Sequence, residues 1–347
     1  MSDVRSQAGT GQVADGTSTQ APHPHRRGAA ELAEAWALPA LTVALVVFFA
    51  FLPATTGLFN TLENARIVVS SQSAIVFVTL AVLLPIVVNV WDFTPGANAG
   101  LTSIVVAALM GREVNPVLAI AAGLATALAV AGLNALLVVG FRVNSVIATL
   151  GVTILIAGAI QVITGGGSLV KGIPEGLTSF GFGTTLGIPN LAYLAVLALV
   201  LVHLILTRTP FGRYLYATGS NRRAADLVGL RTNQLTVLAF VGGGVLAGIG
   251  GVLILIQTGA ANPTVGPGFT LPAFAAIFLG TVAIRPGTWN VWGTAWAIVF
   301  LAVLASGLVL AGASNAISQF ANGMALLVGV GLANLVARQR GRTIQVS

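Results

Sequence analysis

Ten runs of apolar residues divide this chain of 347 residues. They cover 36–53, 67–90, 96–111, 116–140, 146–165, 190–207, 235–257, 272–284, 292–311 and 316–337. Most approach the roughly 20 residues that an α-helix needs to cross a bilayer. The chain is only 7% charged and 56% apolar, where soluble domains carry about 25% charged residues. A soluble fold this poor in charge has too little polar surface to cover itself. The expected fold is therefore an all-α polytopic membrane protein of about ten transmembrane helices.

Two of the runs are short and interrupted. Residues 96–111 follow a Pro95-Gly96 break, and 272–284 follow Pro267-Gly268. Interrupted hydrophobic segments point to discontinuous helices beside a translocation path. Glycine is abundant, at 42 residues with 14 prolines, as in membrane helices generally. Gly244 with Gly248, and Ala247 with Gly251, space small residues so that helix backbones can approach closely in lipid.

Charge placement gives an orientation. With ten spans both termini fall on one side. A cytoplasmic N-terminus puts Arg5, Arg26, Arg27, Arg142, Arg208, Arg213, Arg222, Arg223, Arg231, Arg285, Arg338, Arg340 and Arg342 inside, and leaves Arg66, Arg112 and Lys171 outside. Thirteen of sixteen basic residues on one side is the bias that sets topology. The predicted organisation is a disordered cytoplasmic tail over 1–30, a transmembrane domain over 31–337, and a cytoplasmic tail over 338–347. The first apolar run begins only near Trp36, so no secretory signal is expected, and Arg26-Arg27 reads as a cytoplasmic anchor. The net charge of +7 is spread between spans and is no nucleic-acid signature.

Several chemistries are excluded. The chain has no cysteine, so disulfides, thiolate catalysis and Cys-ligated metals are ruled out. A phosphate-binding loop needs a lysine beside its glycines, and the one lysine, Lys171, does not make Gly165-Gly166-Gly167 such a loop. No catalytic triad and no metal set is visible: His23 and His25 lie in the tail, and His203 stands near a span end as a packed or snorkelling residue. Carriers coupled to protons or sodium bury carboxylates along their path, and here only Asp92 qualifies. Asp92 has two readings, a hydrogen-bond acceptor for a solute or a structural group at the break, where Thr94 suits a helix cap and Pro95 the first helical position. The remaining interior polarity is amide: Asn89, Asn98, Asn134, Gln161, Gln257 and Asn262. Neutral donors and acceptors suit a neutral polyhydroxylated solute. They equally suit interhelical hydrogen bonds, worth roughly 0.6–2 kcal/mol each.

The longest polar break in the second half covers 208–234, with five arginines and one acid, Asp226. It reads as two short helices, about 212–217 and 222–228, broken at Gly219. Ser220 or Asn221 would cap the second, and Gly229 would end it. Such a segment is either a docking knob for a soluble partner or a solvated loop.

Four stretches, in order along 60–335, carry a resemblance. The pattern Gly212-Arg213-x-x-Tyr216-Ala217-x-Gly219-x-Asn221-x-x-Ala224-Ala225-x-Leu227-x-Gly229 resembles the cytoplasmic coupling segment of ribose/xylose-type permeases, in the branched-chain amino acid/ribose permease superfamily of ABC importers. Asp92–Ala97 resembles that family's Asp-Leu-Ser-x-Gly element. Asn144–Gly151 with Ile163–Gly166 resembles its Pro-x-Phe-x-x-Thr-Leu-Gly and Thr-Gly-Gly block, and Val291–Thr294 its Val-x-Gly-Thr element. Two places depart from the pattern. Asn144 stands where the family has proline, and 284–290, Ile-Arg-Pro-Gly-Thr-Trp-Asn, replaces a Gly-Gly-x-Gly loop.

The resemblance implies a transport subunit of the cytoplasmic membrane with no catalytic residues and no cofactor of its own. It implies a second permease subunit, the same or homologous, two ATP-binding cassette subunits that use the ATP, and an extracytoplasmic sugar-binding protein. Gly212, Arg213, Tyr216, Ala217, Gly219, Asn221, Ala224, Ala225 and Gly229 would couple to the ATPase. Candidates for the translocation path are Asn89, Asp92, Asn98, Asn134, Asn144, Thr149, Gln161 and Asn262. The implied solute is a monosaccharide or sugar alcohol. The alternatives are a permease for branched-chain amino acids or nucleosides, an ion-coupled secondary carrier, and a non-transporting scaffold.

Overall fold

The computed structural model describes residues 29–314 and, beyond them, 316–317, 320–321, 323–329 and 331. Residues 1–28 and 332–347 lie outside the described residues, and with them nearly all of the first predicted tail, the whole of the second, and the end of the tenth run. The helices in order are α1 (Ala29–Phe51), α2 (Leu62–Val87), α3 (Pro95–Met110), α4 (Pro116–Ala135), α5 (Ser145–Thr164), α6 (Glu175–Phe182), α7 (Asn190–Arg208), α8 (Pro210–Ser220), α9 (Arg222–Leu227), α10 (Thr232–Thr258), α11 (Val265–Gly268), α12 (Thr270–Gly280) and α13 (Val291–Leu310). A π-helical turn, Leu136–Gly140, extends α4. Between α6 and α7 a small antiparallel hairpin pairs β1 (Thr184–Thr185) with β2 (Ile188–Pro189). α1 begins at Ala29, so residues 29 and 30 belong to a helix rather than to the predicted tail.

Six helices among the described residues are long and apolar enough to cross a membrane: α2, α4 with its π turn, α5, α7, α10 and α13. Three shorter apolar stretches accompany them, Ala35–Phe51, Pro95–Met110 and Val265–Gly280. The protein is thus an all-α polytopic membrane protein. The helix ends follow local chemistry. Pro95 and Pro116 open α3 and α4 at positions whose N–H would have no helical partner. Asn115 and Asn144 accept backbone N–H groups at the starts of α4 and α5. Gly165 and Gly259, at φ 59° and 63°, end α5 and α10 in the left-handed conformation that glycine adopts without strain.

The helix α10 is the axis of the fold and packs on α2, α3 and α4. Of its most apolar window 72% is buried, against 28% for α4 and for α5. The difference follows from position, since α10 is flanked by α2, α3 and α4. Gly244 lies against Ala127 and Ala131, Gly248 against Ala127 and Leu124, and Gly251 against the carbonyl of Ala99. Both small-residue pairs read from the sequence thus serve close packing. In lipid this contact is held by van der Waals complementarity, because lipid tails are as apolar as the side chains. On α5 the residues Ile147, Ile154, Leu155 and Val162 point outward, presenting an apolar face to lipid or to another subunit.

The two interrupted segments meet inside the bundle. Gly96 and Gly100 at the start of α3 face Gly266 and Pro267 of α11 and Thr270 of α12. A Cβ on Gly96 or Gly266 would overlap backbone atoms of the other segment. The Pro-Gly breaks therefore place two short helices in direct backbone contact.

Candidate functional site

A turn of residues 88–94 joins α2 to α3, and it carries the most polar point of the interior. Asn89 takes a left-handed conformation, φ 59°, on the exposed side of this turn. Asp92 is buried. Its Oδ1 accepts from the Thr94 N–H at 2.9 Å and from the Thr94 hydroxyl at 2.7 Å. Asn134 of α4 donates through Nδ2 to Thr94 Oγ1 at 2.8 Å and, at 3.5 Å, to Asp92 Oδ1. Asn98, one turn into α3, donates to the carbonyl of Ala127 at 3.1 Å.

This arrangement corrects one expectation. Thr94 is the residue before α3, but its side chain makes no cap bond. A carboxylate is a stronger acceptor than a helix N–H is a donor worth capping, so the hydroxyl turns back to Asp92. Asp92 thereby fixes the break itself.

The polar node is dry and closed. It packs on Gly243, Gly244 and Ala247 of α10, with no space for a water molecule. Two acceptors, Asn98 Oδ1 and Asn134 Oδ1, are buried with no hydrogen-bond partner. A buried orphan acceptor costs about 1–3 kcal/mol, so the node holds two unmet acceptors in reserve.

The same turn is tied to α5 and α12. The Trp91 N–H donates to Ser145 Oγ at 3.3 Å. Thr149 donates chiefly to the Ser145 carbonyl at 2.8 Å and lies 3.5 Å from the Trp91 carbonyl. Thr153 lies 3.3 Å from the Phe93 carbonyl. Trp91 stacks on Phe93, Phe274 and Phe278, which ties the turn to α12. Ser145, Thr149 and Thr153 recur at i, i+4 and i+8 on one face of α5, a spacing that could have singled out all three.

Of the path candidates, the structure gathers Asp92, Asn98 and Asn134 into one node with Thr149 nearby. It does not bring the others there. Asn144 is exposed and caps α5 through Oδ1. Gln161 is exposed on α5 near Gly166. Asn262 accepts from the N–H and hydroxyl of Thr264 at 2.9 and 2.8 Å. That is the geometry of Asp92 and Thr94 repeated at the second break.

The segment 208–234 forms two short helices, α8 and α9. The Thr209 hydroxyl accepts from the Gly212 N–H at the start of α8. The predicted break at Gly219 is corrected: α8 continues through it to Ser220, and the chain turns at Asn221, φ −156° and ψ 98°. Asn221 Oδ1 accepts from Ala224 N–H at 3.0 Å and caps α9. Gly219 serves close approach instead, since a Cβ there would collide with the Val87 carbonyl at the end of α2. Gly212 lies likewise against the carbonyls of Ile205 and Leu206. Gly229, at φ 85°, follows α9.

Side chains brace this segment from below. Arg222 donates to Asn233 Oδ1 at 2.7 Å, and Asp226 accepts from the Thr232 hydroxyl at 2.6 Å. Ala225 is buried, while Arg213, Ala217, Arg223 and Ala224 are exposed. Tyr216 donates to the Trp289 carbonyl at 2.6 Å. Burial pushes the Tyr216 phenol up to about 12, against a smaller opposing pull from Arg285. The tip of the segment was missed in the sequence: Leu227 and Val228 are 88% and 77% exposed. An apolar pair just before a capping glycine, in an otherwise basic stretch, was the available signal. His203 sits in α7 with its ring 5.6 Å from Trp292, a packed residue.

Among the described residues no cluster of His, Asp and Glu could hold a metal ion. The fold defines a class first, that of polytopic helical membrane proteins with short interrupted helices. The chain belongs to the family of the branched-chain amino acid transport system permease component, whose model matches residues 64–330. It is similar to the ribose import permease protein RbsC of Escherichia coli K12, 30% identical over 83% of this chain and 91% of that protein. It is also similar to RbsC of Bacillus subtilis, 32% identical over 69% and 74%. The autoinducer 2 import system permease protein LsrC of Photorhabdus laumondii is 28% identical over 77% and 80%. No solved structure matches the chain. The protein is a multi-pass protein of the cytoplasmic membrane with a transport role.

Proposed function

We propose that this chain is the permease subunit of an ATP-driven importer for a monosaccharide or sugar alcohol. The similarity to ribose import permeases supports the substrate class. The observation that carries the mechanism is the braced knob of α8 and α9, with two apolar side chains exposed at its tip between arginines.

In this reading the subunit has ten spans with both termini cytoplasmic and works as a pair with the same or a homologous permease. Two ATP-binding cassette subunits bind and hydrolyse the ATP, and an extracytoplasmic binding protein delivers the solute. Leu227 and Val228 seat in an apolar groove of the ATPase, and Arg213 and Arg223 flank the contact. Closure of the ATPase pair moves α8. Because Gly219 rests on the Val87 carbonyl, α8 moves the end of α2 and the turn 88–94. That turn carries Asp92 and is tied to α5 and α12, so the two broken helices shift together. Opening the node gives Asn98 Oδ1 and Asn134 Oδ1 access to sugar hydroxyl donors. Weak, neutral contacts suit a conduit, since tight binding would slow release.

The test is uptake of labelled ribose and xylitol into vesicles containing the permease, its genetically linked ATPase and the binding protein. Uptake that requires ATP on the ATPase side supports the reading. Uptake driven by an ion gradient without ATP would overturn it.

A further inference from the structure

The loop of residues 281–290, where the sequence departs from a glycine-rich pattern, builds a cavity. It has a volume of about 470 Å3 and opens between the end of α7, α8 and the start of α13. That is within the range of specific small-ligand sites. Its floor is apolar, made by the buried Leu206 and Val291. Its walls are aromatic, with Tyr216, Trp289 and Trp292.

The rim is cationic. Arg285 is exposed, and its guanidinium makes no hydrogen bond or ion pair among the described residues. Arg285, His203 and Tyr216 all line the cavity. No carboxylate lines the cavity.

The loop is held in this shape. Asn290 Oδ1 accepts from Gly293 N–H at 2.6 Å, and its Nδ2 donates to the carbonyls of Gly280 and Thr288, both at 3.1 Å. The Ile284 N–H donates to the Ala35 carbonyl at 2.9 Å. Ile284 adopts φ 62°, costly for a β-branched residue and found only where surroundings enforce it.

We propose that this cavity binds the phosphate head group of an anionic phospholipid, with Arg285 taking the phosphate. Trp289 and Trp292 flank the glycerol and the first methylenes. An unpartnered guanidinium above an apolar aromatic floor complements an anionic amphiphile. A free phosphate ion would have no use for that floor. Trp292 stands in the first turn of the apolar helix α13 and is partly exposed, and tryptophan is enriched at the ends of membrane helices. Basic pockets between membrane helices hold lipid head groups in this way. The bound lipid would steady Trp289, and through it Tyr216 and α8. This inference is independent of which solute is carried.

The test is native mass spectrometry of the detergent-purified permease titrated with phosphatidylglycerol or phosphatidylcholine. The intact chain should retain phosphatidylglycerol preferentially. Arg285→Gln should cut that preference about fivefold, as loss of one interfacial cation predicts, and Arg285→Lys should keep most of it. Thr288→Glu, which places a carboxylate on the exposed rim, should abolish it, so the proposal does not hang on one variant. Equal retention by the native chain and both Arg285→Gln and Thr288→Glu would overturn the site. Displacement of the lipid by excess inorganic phosphate would overturn the lipid assignment in favour of a soluble anion.

Discussion

The turn at 88–94 and the knob at 208–229 stand on either side of one contact, Gly219 against the Val87 carbonyl, and they treat polarity in opposite ways. In the turn the buried donors are spent inward: Thr94 gives its hydrogens to Asp92, and Asn134 gives its own to Thr94. In the knob Arg222 and Asp226 are spent on bracing, and the apolar pair Leu227 and Val228 is left outside. A polar group in the membrane interior is satisfied locally or costs several kcal/mol. An apolar tip in water is stable only at the small cost of an exposed patch, and such patches mark partner surfaces. On the proposed reading one region belongs to the interior of the permease and the other meets its partner, with a single glycine between them.

The comparison breaks most sharply at Gly219. Gly219→Val puts a branched side chain into the Val87 carbonyl. It should lower ATP-driven uptake more than tenfold, with overpacking of about 1–3 kcal/mol reading as a lower unfolding temperature. Uptake at the normal rate would detach the knob from the turn.

The next effect is at Asp92. Asp92→Ala strands the Thr94 N–H and loosens Asn134, at about 1–3 kcal/mol, measured as thermal unfolding in detergent. Asp92→Asn restores an acceptor and should recover more than half of the loss.

Smaller again is Asn98→Ala. It removes one interhelical bond, worth about 0.6 kcal/mol, and one orphan acceptor. It should raise the KM for uptake with little change in stability. A large stability loss with an unchanged KM would make Asn98 purely structural.

An effect of similar size is expected at Tyr216. Tyr216→Phe deletes a hydrogen bond worth about 0.5–1.5 kcal/mol. The folded-state value lies above the ordinary value of about 10. The stability that the neutral phenol contributes is therefore fully present below pH 10 and is lost as pH rises towards 12. The difference between the two proteins should stay flat from pH 6 to 9 in a thermal-shift series.

Much of this architecture was legible in the sequence because it depends on neighbours in the chain. Run lengths, Pro95 at a helix start, Ser220 or Asn221 as a cap and Gly229 as a stop are all local. What was not legible depends on contacts far along the chain. Gly219 reads as a helix breaker until Val87 is found against it. Asn98 and Asn134 read like Gln161 and Asn144, since nothing in the sequence says which amides α10 will press together. Thr94 reads as a cap because the competing acceptor two residues earlier is silent until the turn is folded. Leu227 and Val228 carry a local cue, an apolar pair before a capping glycine in a basic stretch, but their exposure itself is a property of the fold.

The most direct measurement is co-purification of the ATPase partner with Leu227→Asp/Val228→Asp. The substitutions lie on exposed positions, so the chain should insert and unfold at the same temperature as the native protein. The account predicts that the ATPase is lost from the complex and that ATP-driven uptake disappears with it. A stoichiometric ATPase still bound to that variant, with normal uptake, would contradict the assignment of α8 and α9 as the coupling element.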